Sequence, residues 1–469
     1  MMFPTLALIA ILSLPIETRS DDRAADAAAG KKLLGEGDAL ADKGETTEAQ
    51  LRYKQAFEQL LPGMRKIPFK TEVKRDVTAR EDLKDVLLKE LEEDKSSAEY
   101  EGDEVGMKAI GFIPKTMNFK DVMVRVYSEE IAAFYDPKTK TMHLIREPEK
   151  KAARPRGFLE SLLKGNDEGF NKDENKTVIA HELTHALADQ NFDLKAMQDA
   201  IKHDDDRSLA LSSLIEGEAT LTMMAAQMND WDGSKILAIR AADLDRTFSI
   251  MMPLMTMSSG PALKEAPAIL SESLLFPYLR GLVLCARLVN DGGWKAIDEA
   301  YKKPPLSTEQ ILHPEKYMAQ PDPPTAIDLG TLDAGAGWRE VTRNVAGEMQ
   351  IAVLLKKMGG KEAAAGWDGD QFAAFRGPDE RIGLVWHSTW DSDEDARQFA
   401  KSYVQFQTTK LGKNAKAPDA YPDATRRPDS GAIYAVERRG ADVTVVEGFP
   451  AEISQRLIDS AFQSKKTPK

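Results

Sequence analysis

The stretch from Thr177 to Leu187 constrains the possible fold and chemistry of this chain most. It reads TVIAHELTHAL and contains an H-E-x-x-H motif. His181 and His185 are four positions apart, so on a helix they lie one above the other and can present two imidazoles to one point. Zinc accepts imidazole nitrogens in tetrahedral geometry, and a catalytic zinc keeps one position open for water. Glu182 is placed to take a proton from that water rather than to bind the metal. The motif therefore predicts a helix that carries part of a zinc site.

A third ligand is available downstream in residues 212–223, SSLIEGEATLTM, where Glu216 and Glu218 compete for the role. The combination of H-E-x-x-H with a later E-G-x-A resembles the gluzincin metallopeptidases, in which a second helix supplies a glutamate to the zinc. The resemblance implies that Glu216 is the ligand and that the small residues Gly217 and Ala219 let the two helices approach closely. Glu218 would point about 200° around the helix from Glu216, toward a supporting residue or toward solvent.

Residues 131–145, IAAFYDPKTKTMHLI, predict two short strands around a turn that starts at Asp136. In gluzincins an edge strand before the zinc helix runs along the cleft and pairs with the extended substrate backbone. Ile131 to Tyr135 resemble that strand, which implies peptide binding by strand addition. An ordinary surface hairpin is the alternative that the pattern leaves open.

The resemblance also implies a Tyr or His, beyond the third ligand, that hydrogen-bonds the oxyanion of the reaction. Three residues fit this description: Tyr278 within SLLFPYLRG, and His313 and Tyr317 within residues 304–317, PPLSTEQILHPEKY. The latter segment, together with HELTH and EGEAT, also resembles uncharacterised bacterial secreted zincin-like proteins. Tyr278 and His313 are therefore candidate catalytic residues beside Glu182, and a structural role for each remains open.

The expected fold is α+β and mostly helical, with a zincin-like catalytic domain at residues 101–320. A helical N-terminal region at residues 21–100 precedes it, because two apolar-periodic segments separated by Gly44 predict a tetratricopeptide-like hairpin. Within this region the order Thr-Ala-Arg-Glu from Thr78 to Glu81 predicts a capping box that opens a further helix.

The proline-rich run MAQPDPPT at residues 318–325 predicts a boundary, after which residues 326–469 form a smaller α+β domain. This half shows no catalytic constellation, so its expected roles are substrate recognition or support of the active-site wall. The periodicity predicts strands at 382–390, 432–438 and 442–447 and helices at 348–358, 393–406 and from 451 onward.

The N-terminus predicts export. Residues 3–16 form an apolar run that is short for a membrane span and is followed by a polar, charged segment, so residues 1–20 are interpreted as a signal peptide. The expected location is extracytoplasmic, either periplasmic or secreted, with membrane attachment only if this segment stays uncleaved. Cys285 is the only cysteine, which excludes an intramolecular disulfide. The formal net charge of -13 argues against nucleic acid as a partner.

These features predict zinc-dependent hydrolysis of peptide bonds in a peptide or protein substrate, with Zn²⁺ on His181, His185 and Glu216. The competing hypothesis is an exported binding or scaffold protein with a structural or non-catalytic zinc site. Glu182 separates the two hypotheses, because a structural site does not need a general base beside the metal.

Overall fold

The computed structural model describes residues 20–146, 171–248, 260–412 and 423–468. Within these ranges the chain is α+β and mostly helical. Apart from Ser20, the predicted signal peptide lies outside the described residues.

Helices account for most of the described secondary structure. In chain order they are α1 (Ser20–Ala41), α2 (Thr46–Arg65), α3 (Leu83–Asp94), α4 (Ser97–Ile110), α5 (Phe119–Glu130), α6 (Lys172–Phe192), α7 (Leu194–Asp199), α8 (Asp205–Gln227), α9 (Ser234–Leu237), α10 (Pro261–Glu265), α11 (Ala268–Gly292), α12 (Trp294–Lys302), α13 (Thr308–Leu312), α14 (Glu315–Met318), α15 (Gly347–Leu354), α16 (Gly360–Ala364), α17 (Asp393–Lys410) and α18 (Ala451–Ala461), and residues 241–248 are also helical.

The strands in the described ranges form three sheets. In chain order they are β1 (Lys74–Ala79), β2 (Ala133–Asp136), β3 (Thr141–Arg146), β4 (Thr325–Asp328), β5 (Arg339–Asn344), β6 (Trp367–Arg376), β7 (Ile382–Trp390), β8 (Ala424–Asp429), β9 (Ala432–Arg439), β10 (Asp442–Phe449) and β11 (Lys465–Pro468). The first sheet has the order β1-β3-β2, the second β5-β6-β7-β10-β9-β8, and β4 pairs with β11.

Helix α6 lies at the centre of the larger core. It begins where the Asn171 side chain accepts hydrogen bonds from the backbone N–H groups of Asp173 and Glu174, and those two acids sit where the helix dipole favours negative charge. It ends at Asp193, whose φ of 56° lies in the left-handed region. Residues on nearly all its faces are buried, and it packs against both α2 and α8. Because protein surrounds α6 on nearly all sides, its side chains are held in fixed positions away from water.

Helices α8 and α11 pack closely together in this core. A Cβ built on Gly217 of α8 would overlap the backbone of Gly281 on α11, so only glycine permits this approach. Among the described residues, α11 is the one helix long and apolar enough to cross a membrane by length and composition. Of its most apolar stretch, 56% is buried inside the protein, as expected for the central helix of a core.

The N-terminal hairpin is confirmed, because α1 and α2 pack together around the turn at Gly44, whose φ is 81°. The N-terminal region is not wholly helical, however. β1 pairs in parallel with β3, so this region completes the sheet that lies beside α6. The capping box predicted at Thr78 is wrong, because Thr78 belongs to β1 and the following helix begins at Leu83.

The C-terminal half is built on the six-stranded antiparallel sheet. The strand predicted at 382–390 and the helix starting at 451 are confirmed, whereas β5 and β6 were not predicted. One face of the sheet packs against α17 and the other against α18. Helix α4, which belongs to the expected catalytic domain, packs in the same core as Trp367 and Trp386 of this sheet. The two halves therefore share apolar packing across the boundary predicted at 318–325.

Candidate metal centre

His181 and His185 on α6 meet Glu216 on α8. The Oε2 atom of Glu216 lies 3.2 Å from Nε2 of His181 and 3.4 Å from Nε2 of His185. The two Nε2 atoms are 3.0 Å apart. Tetrahedral zinc with ligands at about 2.0 to 2.2 Å requires ligand atoms about 3.3 Å from one another. Two imidazoles and one carboxylate at these separations fit a zinc ion.

The charges at this centre favour a cation. Burial alone would raise the pKa of the Glu216 carboxyl, but His185 and His181 outweigh it and hold that pKa far below its usual range. Burial opposes charge on His185 as well, yet the Glu216 carboxylate raises the pKa of His185 to about 9. The buried Glu216 carboxylate thus favours a positive charge at the point between its oxygen and the two imidazole nitrogens.

Glu182 lies beside these ligands and is only 3% exposed. Burial raises its pKa and Glu216 adds to the increase, while the two histidines and a hydrogen bond from the backbone N–H of Tyr135 oppose it. The net pKa is above the ordinary glutamate value. A carboxylate of raised pKa is a stronger proton acceptor, as a general base needs to be.

Tyr278 reaches the centre from α11. Its ring is nearly parallel to that of His181, at a centroid distance of 6.0 Å and an interplanar angle of 13°. Burial, together with Glu216 and Glu182, raises the pKa of the Tyr278 hydroxyl well above its usual value, and the hydroxyl hydrogen-bonds to Glu216. The phenol therefore stays protonated and can donate a hydrogen bond at the site.

His313 and Tyr317 are not brought to the metal centre. Nε2 of His313 lies 3.0 Å from Oε1 of Glu348, and the hydroxyl of Tyr317 donates to the carbonyl of Lys303 at 2.7 Å. The fold directs both side chains into contacts that join α13 and α14 to their neighbours. Of the three residues considered from the sequence, Tyr278 is the one that the structure places beside the ligands.

The ligands open into a cavity of about 130 Å³ that strand β2 borders. The two strands predicted around Asp136 are confirmed as β2 and β3, and β2 is the edge strand of its sheet. The carbonyl of Ala132 accepts a hydrogen bond from the N–H of Ile145 at 3.3 Å. Because backbone direction alternates along an antiparallel ladder, the N–H and C=O groups of Ala133 and Tyr135 point away from β3.

Two larger cavities adjoin the centre and extend it into a cleft. One, of about 560 Å³, shares Glu216 and Tyr278 with the metal cavity. The other, of about 1190 Å³, shares Phe134 and Tyr135 with it. Both are also lined by Asn344 at the end of β5, so the C-terminal sheet forms part of the cleft wall.

A buried ionic network lies behind the ligand helix. Glu218, 1% exposed, accepts hydrogen bonds from Arg65 Nε and, at 2.5 Å, from the Tyr301 hydroxyl. Arg65 is wholly buried and also binds Asp298 at 2.8 Å. Glu218 therefore faces away from His181 and His185 and toward α2. Sequence reasoning missed Arg65, although its place on the apolar face of α2, four residues after Leu61, is a signal that it has a buried partner.

A second acidic group, Glu309, Asp322 and Asp391, is close enough to hold a cation. Lys316 fills this place, because its Nζ lies 2.7, 2.9 and 3.1 Å from the three carboxylates. The cluster is therefore an ion-pair network around a lysine.

Comparison with known proteins identifies one domain. A family model described as "Domain of unknown function (DUF8575)" matches residues 335–457. The match spans the strands from β5 to β10 and leaves out His181, His185 and Glu216. No curated protein and no solved structure matches the chain.

Proposed function

We propose that this protein is an extracytoplasmic zinc-dependent hydrolase of peptide bonds. The proposal is carried by the convergence of His181, His185 and Glu216 within 3.4 Å of one another, with the Glu182 carboxyl buried in the same cavity. Structural zinc sites are closed by a fourth protein ligand, whereas catalytic sites keep that position for water or substrate. Among the described residues, this group offers three ligands, which supports a catalytic site.

The residues around the centre have distinct roles in the reaction. Zinc bound by the three ligands would polarise the substrate carbonyl and lower the pKa of the attacking water. Glu182 accepts a proton as the water attacks and passes it to the leaving amine. The Tyr278 hydroxyl donates a hydrogen bond to the carbonyl oxygen as negative charge develops on it. The raised pKa of Tyr278 supports this role because the phenol keeps its proton.

Strand β2 supports a peptide as the substrate. It borders the metal cavity, and its Ala133 N–H and C=O groups face away from β3. An extended peptide can pair with such an edge through main-chain hydrogen bonds, largely independently of its sequence. This pairing would lay the scissile bond next to Glu182, whose carboxylate already accepts a hydrogen bond from the neighbouring Tyr135 N–H.

Export is supported by the apolar run at residues 3–16, which is followed by a polar, charged segment. Sequencing the N-terminus of the protein recovered from outside the cytoplasm tests this. A start near residue 21 is expected, and retention in the cytoplasm with Met1 intact would contradict the proposal.

The central experiment combines metal analysis with turnover. We expect one zinc per chain after purification without chelators, and cleavage of a mixed peptide library that Glu182→Gln reduces by at least about 10²-fold without loss of zinc. A metal-free protein, or a zinc-loaded protein with no turnover toward any peptide, would instead favour the exported scaffold.

A further inference from the structure

The 560 Å³ cavity next to the metal centre is bounded by both halves of the protein. Its floor next to the metal is formed by Glu216 and Tyr278, which also line the metal cavity. The domain matched at residues 335–457 supplies the opposite wall through Thr342, Gln350 and Phe372. A substrate side chain that lies next to the cleaved bond and enters this cavity therefore contacts the C-terminal domain.

The walls of this cavity are mainly apolar. Side chains from several different segments supply the apolar surface, among them Met107, Phe112, Met123, Leu274, Pro277 and Phe372. Charged residues such as Lys95 and Asp103 also line it, and they are paired with each other at 2.6 Å. A cavity of this size is within the range of about 300 to 1,000 Å³ that holds sizeable apolar groups.

We propose that this cavity binds a large apolar side chain next to the scissile bond, and that the C-terminal domain sets this preference through Gln350 and Phe372. The inference rests on the proposed peptidase function, because the adjoining metal centre fixes which part of the substrate enters. Strand pairing with β2 holds the backbone, and alternate side chains of an extended peptide leave it on opposite sides. One substrate side chain then enters the cavity that Tyr278 lines.

Gln350 is the position best suited to test this. It lies half-buried on α15, between the buried Met349 and Ile351, and lines the cavity without contributing to the apolar core. Gln350→Trp should narrow the cavity. Gln350→Leu keeps nearly the same volume and makes the wall more apolar. Gln463→Trp is the matched control, since Gln463 is exposed on the same half of the protein and does not line the cavity.

The experiment measures kcat/KM of the zinc-loaded full chain on peptides that differ only at the residues flanking the cleaved bond. At one flank, the wild type should prefer Phe, Leu or Met over Ala by about 10- to 200-fold. Gln350→Trp should remove at least about 10-fold of that preference, Gln350→Leu should keep or increase it, and Gln463→Trp should leave it unchanged. A wild type without an apolar preference, or equal effects of both tryptophan variants, would overturn the inference.

If no peptide is cleaved, the proposed function is contradicted, but a binding measurement still tests the inference about this cavity. Titration of the zinc-loaded protein with N-acetylphenylalanine amide and N-acetylalanine amide, followed by NMR, should show binding of the first only. Gln350→Trp should abolish that binding while Gln463→Trp retains it. Equal binding of both amides, or unchanged binding in Gln350→Trp, would contradict a specificity pocket.

Discussion

Gly217 and Gly281 lie in backbone contact across the pair of helices α8 and α11. This contact sets the distance between the helix that carries Glu216 and the helix that carries Tyr278. We expect Gly217→Ala to force the helices apart, destabilising the protein by about 1 to 3 kcal/mol or more, since overpacking in a tight core is costly. Zinc affinity should fall as well, because Glu216 is the adjacent residue.

Urea unfolding and zinc titration of Gly217→Ala measure both effects. Gly63→Ala in α2 is the control, because nothing lies within 4 Å of the added Cβ and alanine is the better helix former. That control should be neutral or slightly stabilising. Equal stability and zinc affinity of Gly217→Ala and wild type would show that the close approach is not needed.

Glu182→Gln should keep the zinc content while reducing hydrolysis by about 10²- to 10⁴-fold, the usual contribution of general acid–base catalysis. Glutamine can occupy the same buried position but cannot accept the proton. Elemental analysis and peptide turnover on one preparation test this. Asp173→Asn, an exposed acid at the start of the same helix, should retain full activity. Substantial turnover by Glu182→Gln would remove Glu182 from the mechanism.

Glu216→Ala should weaken zinc binding, because it removes the one carboxylate among the three ligands. Bound zinc stabilises the folded state by mass action, so a chelator should lower the wild-type melting temperature by several degrees and leave that of Glu216→Ala nearly unchanged. Thermal scans with and without EDTA check this. An equal chelator shift in both proteins would place the metal elsewhere.

Tyr278→Phe should lower kcat by about 10²- to 10³-fold, the range found when one oxyanion donor is removed, with little change in KM or zinc content. Phenylalanine preserves the ring beside His181 and removes only the hydroxyl. Tyr317→Phe and His313→Gln serve as comparisons, because their contacts to Lys303 and Glu348 lie away from the ligands. If His313→Gln lost activity and Tyr278→Phe did not, the two roles would have to be reassigned.

Arg65→Met should destabilise the protein by about 3 to 5 kcal/mol, because the buried Glu218 carboxylate would lose its charged partner. The double variant Arg65→Met with Glu218→Met should recover most of that loss, since an apolar pair can replace a buried ion pair at little cost. Denaturant unfolding of the wild type, Arg65→Met, Glu218→Met and the double variant gives the coupling energy between the two side chains. Additive losses would show that the two side chains do not depend on each other.

The convergence of His181, His185 and Glu216 could be predicted from sequence because the information that specifies it is local. The spacing of His181 and His185 follows from helix geometry, and Glu216 follows from the resemblance carried by its neighbours Gly217 and Ala219. The choice among Tyr278, His313 and Tyr317 could not be made in this way. It depends on α11 crossing α8 at Gly281, a tertiary contact that no periodic pattern records.

Strand β6 shows why part of the fold was missed. Its sequence, WDGDQFAAFR, places Asp370 inside a strand, where a charge normally argues against burial. In the structure, Asp370 accepts hydrogen bonds at 2.9 Å from the indole N–H groups of Trp367 and Trp386, and others from the backbone N–H groups of Ala346 and Gly347. These partners come from three separate segments, so the burial of Asp370 cannot be inferred from the strand alone.

The parallel pairing of β1 with β3 determines which fragments of this chain can fold alone. A truncation that starts at residue 101, the predicted start of the catalytic domain, would delete β1 and leave one edge of β3 open to pairing with other molecules. The same truncation would also remove Arg65, the buried ion-pair partner of Glu218. The shortest soluble fragment with an intact metal centre should therefore begin before α2 at Thr46, and shorter fragments should aggregate.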